Sequence, residues 1–132
     1  MYGPLGHAYV NFTYGMHWML NVVTEAEGRP SAVLIRALEP VEGIESIRAA
    51  RPGRREREWT SGPARLCAAL KIDGGLNGTD LVGGDELVIE PCREIPDGDV
   101  RRGPRIGIDS ASAKDRRAPW RFWIIGNPFV SR

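Results

Sequence analysis

The sequence predicts an α+β fold, a single domain in which a mainly antiparallel sheet is flanked by helices. Three observations carry this. The 132 residues, 42% hydrophobic and 27% charged, suffice for one core and leave little room for a second. Apolar, β-favouring stretches alternate along the chain with helix-like ones. No regular βαβ period joins them, which argues against a parallel sheet.

Taken in order, residues 9–24 are dense in aromatic and β-branched types and read as two strands, YVNFTY and HWMLNVVT, broken at Gly15. A glycine inside such a run points to a bulge or a close backbone approach. Residues 25–30 form a turn, and 31–37 (SAVLIRA) a third, apolar strand that contains one charge, Arg36. A buried arginine needs a partner, so Arg36 is either a satisfied core pair or a site residue. Pro40 opens a helix with Val41, Ile44 and Ile47 on one face. Its acidic residues, Glu42 and Glu45, lie near the start and Arg48 and Arg51 near the end, in accord with the helix dipole. RPGRREREWT is a charged loop. A second helix runs from about Ser61, a good N-cap, with Leu66, Ala69 and Leu70 inward and Gly74-Gly75 as its stop. Short strands at 87–89 (LVI), 105–108 (RIGI) and 120–125 (WRFWII) complete the reading. No internal repeat or low-complexity segment interrupts it.

Composition narrows the function classes. No run approaches eighteen apolar residues, and the N-terminus lacks a basic stretch followed by an apolar one, so neither a membrane span nor a signal peptide is expected. Two cysteines, Cys67 and Cys92, cannot build a disulfide framework or a closed zinc site. The default compartment is the reducing cytoplasm. The net charge is only +1, yet sixteen of the eighteen basic residues are arginine. Such an excess suits phosphate recognition and equally fits genomic base composition. Its distribution says more. Arg48, Arg51, Arg54, Arg55 and Arg57 fall within ten residues, and further groups comprise Arg101, Arg102, Arg105 and Lys114, Arg116, Arg117, Arg121. One such group is an ordinary solvated surface; three together allow a phosphate-facing side.

No familiar catalytic spacing is present: no GxGxxG, Walker loop, GxSxG or HExxH. His7 and His17 stand far from the cysteines, so no metal site is expected, and neither Lys71 nor Lys114 has the desolvated setting of a Schiff-base nucleophile. Glu39 and Asp109 are the two carboxylates in apolar surroundings, the first read as structural and the second as a turn residue. The richest segment is residues 9–21, where Tyr9, Asn11, Phe12, Tyr14, His17, Trp18 and Asn21 surround a glycine. Polar-tipped aromatics beside amides either line a pocket for a planar ring or form a β core with hydroxyls at the surface.

Five blocks bear on this choice. MYGPLGHAYVNFTYGMHWMLNVV, AVLIRALEPVEGI, SGPARLCAAL, PRIGI and WRFWIIGNPFVS, in that order and spread over nearly the whole chain, resemble the alkyladenine (3-methyladenine) DNA glycosylase family. The resemblance implies a domain over residues 1–132 with a curved, mainly antiparallel sheet, monomeric, needing no cofactor or metal, and acting in the cytoplasm on double-stranded DNA with damaged purines. It implies a monofunctional glycosylase that flips an alkylated or deaminated purine out of the duplex and hydrolyses its glycosidic bond.

Residue by residue, the resemblance assigns Tyr14 as the wedge in the vacated stack, and Asn21 as the amide that crowds the exocyclic amino group of guanine. Arg36 matches the arginine near the hydrolytic water, and Ile106 the residue whose carbonyl helps hold that water. Met16 and His17 border the DNA or the pocket, and Arg65 is a phosphate contact. Two departures stand out. Asn11 occupies a substrate-binding position that is generally a stacking aromatic, and losing that ring removes about 1–3 kcal/mol of stacking. Met1 falls inside a family motif, so the catalytic glutamate, a second stacking tyrosine and a pocket histidine, which precede it in the family, are expected to be missing from an N-terminally truncated member. That expectation opens an alternative, a relative that only binds damaged or abasic DNA.

Overall fold

The computed structural model describes residues 1–130. Among these the chain forms two compact units, one of Met1–Pro91 joined by the segment from Phe129 onwards, the other of Cys92–Pro128. The elements are antiparallel strands in two sheets with three short helices, the α+β class that the sequence implies.

In the first unit, β1 (Ala8–Thr13) and β2 (His17–Val23) form a hairpin, and β3 (Ala32–Leu34) pairs antiparallel with β2. The hairpin register sets Ala8 opposite Val22, Val10 opposite Leu20 and Phe12 opposite Trp18. Because side chains alternate along a strand, these six share one face. On that face Ala8, Val10 and Leu20 are buried with Leu66, Cys67, Ile72 and Leu81 in one apolar cluster, and Trp18 and Val22 pack against it. A second cluster joins Ile47, Trp59 and Ala69, with Ile44 against it. Helix α2 (Pro63–Leu70) supplies residues to both, and helix α1 (Ile44–Ala50) to the second. Thr60, fully buried, donates its hydroxyl to the Leu38 carbonyl while the Leu38 N–H donates to the Thr60 carbonyl, tying the segment after β3 to the entry of α2.

In the second unit, β4 (Val100–Gly103) pairs antiparallel with β5 (Arg121–Ile124), and α3 (Ala113–Arg117) lies between them in sequence. Ser112 caps α3 by accepting from the Asp115 N–H. Arginines here ride on aromatic rings: the Arg105 guanidinium lies 4.9 Å from the Trp120 ring centre and that of Arg121 4.4 Å from Trp123.

Several elements differ from the sequence reading for identifiable reasons. Helix α1 starts at Ile44 rather than Pro40, because Gly43 caps it in the left-handed region (φ 68°), and Val41 is 85% exposed. Helix α2 is capped by Gly62 with Pro63 in its first turn, while Ser61 accepts from the Arg65 guanidinium instead. It ends on Lys71 in the left-handed conformation, before the Gly74-Gly75 pair, and Leu70 faces outward. No strand forms at 105–108. Pro104 has no N–H to continue the ladder beyond Gly103, and Gly107 turns at φ 77°. Residues 87–89 make a single backbone bond, Ile89 N–H to the Leu81 carbonyl, and are not a strand.

Candidate functional site

The β1–β2 connection is the most unusual backbone in the first unit. The Met16 N–H donates to the Thr13 carbonyl at 3.2 Å, closing a turn whose two central residues, Tyr14 and Gly15, both have positive φ (53° and 67°). Glycine adopts this freely, but a tyrosine there is strained by about 1–2 kcal/mol. Nothing lies near the position a Gly15 Cβ would occupy, so its role is this turn and not a close approach. Met16 is an extra residue before β2 resumes at His17, opposite Thr13. The result is a tip on which Tyr14 is 80% exposed, Met16 68% and Phe12 51%.

That tip is braced from below. The Phe12 and Trp18 rings stack at a 45° tilt with centres 4.7 Å apart. The indole of Trp18 reaches Gly74 so closely that a Cβ there would sit 2.8 Å from it. A glycine that the sequence offered only as a helix stop is therefore the seat of the hairpin. The signal was present in Trp18, but its contact lies across 56 residues of chain and has no local signature.

The face of the sheet opposite the core carries Tyr9 paired with Asn21, Asn11 with Met19 and Thr13 with His17. Asn21 donates through Nδ2 to the Tyr9 carbonyl (3.2 Å) and to Asn11 Oδ1 (3.0 Å), so the two amides form one group. On β3 the same face presents Leu34, the partner of Asn21. The Ile35 N–H donates to the Leu20 carbonyl at 3.0 Å, carrying the β2–β3 register one residue past the strand. Alternation then sets Arg36 on the face of Leu34, level with Met19 and hence with Asn11. Arg36 is half-buried rather than within a core, and it takes part in interactions of its own.

The structure thus gathers five sequence-predicted residues, Asn11, Tyr14, Met16, His17 and Asn21, on one hairpin, with Arg36 on the adjoining strand extension. His17 is exposed at the base of the tip. Arg65 stands apart on α2, exposed, within electrostatic reach of Arg51. Burial first, and then repulsion from Arg54 and Arg65, hold the Arg51 guanidinium below the ordinary arginine value, and its Nε is buried without a hydrogen-bond partner. Arg51 and Arg54 of the first arginine group and Arg65 therefore lie close together, with Glu58 among them, a local concentration of positive charge suited to a polyanion. Arg48 instead pairs with Glu45 and lies 5.5 Å above the Trp59 ring. Ile106 is in the second unit, half-exposed between Arg105 and Gly107. Among the described residues no group of three or more His, Cys, Asp or Glu could hold a metal ion, and no helix is long and apolar enough to cross a membrane.

An exposed aromatic at a strained tip, amides behind it and Arg36 on the adjoining strand extension are parts that the resemblance assigns to a lesion-reading site. Residues 1–128 match the sequence profile of methylpurine-DNA glycosylases. The chain belongs to the methylpurine-DNA glycosylase family. Relatives provisionally named 3-methyladenine DNA glycosylase agree with it along its whole length. The protein from Carboxydothermus hydrogenoformans is 52% identical over 132 residues, covering 100% of this chain and 67% of the relative. That from Burkholderia cenocepacia is 49% identical over 133 residues, covering 99% and 62%, and that from Methanocella arvoryzae 45% over 133 residues, covering 100% and 65%. The chain spans about two thirds of the length of the curated relatives it matches, as the coverage of 62–67% gives.

Proposed function

We propose that this member of the methylpurine-DNA glycosylase family acts in base-excision repair, as a glycosylase hydrolysing the N-glycosidic bond of alkylated or deaminated purines flipped out of double-stranded DNA. The observation that carries the reading is the β1–β2 hairpin, whose strained turn lifts Tyr14 clear of the sheet with the Asn11–Asn21 amide pair behind it. A ring presented in this way fills the gap that flipping leaves, offsetting an unstacking cost of about a few kcal/mol. Asn21 then meets the extruded base, Met16 and His17 flank it, and the Arg51–Arg54–Arg65 patch draws in the phosphate backbone.

In the hydrolysis, a water oxygen bonds to the anomeric carbon as the carbon–nitrogen bond breaks. The electron pair leaves on the purine, and the water proton passes to a base. A purine alkylated on its ring is cationic and departs as a neutral species, which lowers the barrier. Arg36 positions the water. A guanidinium cannot take the proton, so a general base must come from another group; a positioned one is worth about 10²- to 10⁴-fold. No cofactor enters this scheme, the protein works as a monomer, and its place is on DNA in the cytoplasm.

The test is incubation of the chain with duplexes carrying a single hypoxanthine or 3-methyladenine. Release of free base, lost in Arg36→Ala, is the expected result. Salt-dependent binding without release would favour the alternative, a module that binds lesions and leaves the bond intact.

A further inference from the structure

The hydrogen bond between Asn21 Nδ2 and Asn11 Oδ1 crosses from β2 to β1 on the face opposite the core. The same nitrogen donates to the Tyr9 carbonyl. A backbone carbonyl only accepts, so that second bond decides which end of the Asn21 amide is nitrogen. Both N–H groups of Asn21 are thereby committed, one to each partner. What the amide still offers is Oδ1, an acceptor. On Asn11, whose Oδ1 receives Asn21, the group left to offer is Nδ2, a donor. Neither has a hydrogen-bond partner among the described residues.

We infer that Asn11 is a specificity-determining residue: by bracing Asn21 and adding its own donor, it makes this face select purines whose edge offers a donor beside an acceptor. The inference rests on the proposed function, in which a flipped purine meets this face. An aromatic ring at position 11 would hold any planar base by stacking, since every base has a π-face. An amide offers no such ring and discriminates by hydrogen bonding instead. Hypoxanthine presents N1–H beside its C6 carbonyl and satisfies both free groups. In 1,N6-ethenoadenine the etheno bridge occupies N1 and N6, so that edge has no N–H, and Asn21 Oδ1 would be desolvated without a donor. Sites built on hydrogen bonds reject an analogue that leaves their polar groups unpaired.

The experiment measures the affinity of the chain for three duplexes, carrying one hypoxanthine, one 1,N6-ethenoadenine or no lesion. The expected result is a preference of about tenfold or more for hypoxanthine over ethenoadenine, the scale of one unsatisfied polar group. Two variants of similar size separate the brace from the donor. Asn11→Leu removes both, and Asn11→Asp keeps the acceptor for Asn21 but removes the donor. Asn11→Leu is expected to bring the ratio to within about twofold of unity, whereas Asn11→Asp, which still braces Asn21, is expected to weaken binding of both lesions and keep the preference, with lesion duplexes still preferred to the unmodified one. A wild-type ratio near one, a ratio that Asn11→Leu leaves unchanged, or loss of the preference in Asn11→Asp overturns the role of Asn11. No preference for either lesion over the unmodified duplex overturns the underlying function instead.

Discussion

At Tyr14 a positive φ of 53° coincides with a ring that is 80% exposed. Strain and apolar exposure both work against the folded state, and they persist together where a side chain must be presented to a partner. Replacing Tyr14 with asparagine, which tolerates the left-handed region, is expected to raise stability by about 0.5–1 kcal/mol in denaturant unfolding. The same change is expected to weaken binding to lesion-bearing DNA by about 1–3 kcal/mol, the stacking worth of one ring. The cysteines make a second residue-scale contrast. Burial raises the Cys67 thiol to about 11, opposed by a weaker backbone hydrogen bond from Leu20, whereas Cys92 is exposed. The native chain at pH 8 should therefore react with one equivalent of a thiol reagent, and the unfolded chain with two. A raised acid favours the folded state while it stays protonated. This contribution is complete below the ordinary thiol value of 9.0 and is lost as pH climbs through about 11.

At the scale of elements, the hairpin depends on Gly74 as much as on its own residues. A methyl group there would meet the Trp18 indole at 2.8 Å, and the ring is also in contact with Phe12. Gly74→Ala should cost about 1–3 kcal/mol through overpacking, with a changed Trp emission reporting the displaced ring. Leu66, wholly buried at the centre of the larger cluster, is a plain packing site, and Leu66→Ala should cost about 2–5 kcal/mol with the hairpin geometry kept. These elements were unequally legible in the sequence. Residues 9–24 announced two strands because aromatic and β-branched types are dense there, and the hairpin they form carries Asn11, Tyr14, Met16, His17 and Asn21. The start of α1 was hidden because Gly43 looks like any glycine until its φ is known. Residues 105–108 resembled a strand by composition, but Pro104 and Gly107 close the ladder, and the charged run at Val100–Gly103 pairs instead. Neither the Asn11–Asn21 bond nor the Trp18–Gly74 contact follows from composition, since one needs the strand register and the other needs tertiary packing.

For the molecule as a whole, a net charge of +1 conceals the local density that matters. Arg54, from the same loop, and Arg65, from α2, both act on Arg51 in the folded first unit. If that patch neutralises phosphates, affinity for duplex DNA falls with salt, and the double variant Arg54→Gln, Arg65→Gln should flatten the logarithmic salt slope by about 1–2. Stability should hardly change, because both side chains are exposed. The central claim is that the β1–β2 hairpin reads a damaged purine so that its glycosidic bond is hydrolysed. Its most direct test is single-turnover base release from a hypoxanthine-bearing duplex, comparing the wild type with Tyr14→Ala and Arg36→Ala. Release by the wild type, slowed in both variants while the unmodified duplex stays intact, is the predicted result. No release by the wild type, or release equally fast in both variants, would contradict it.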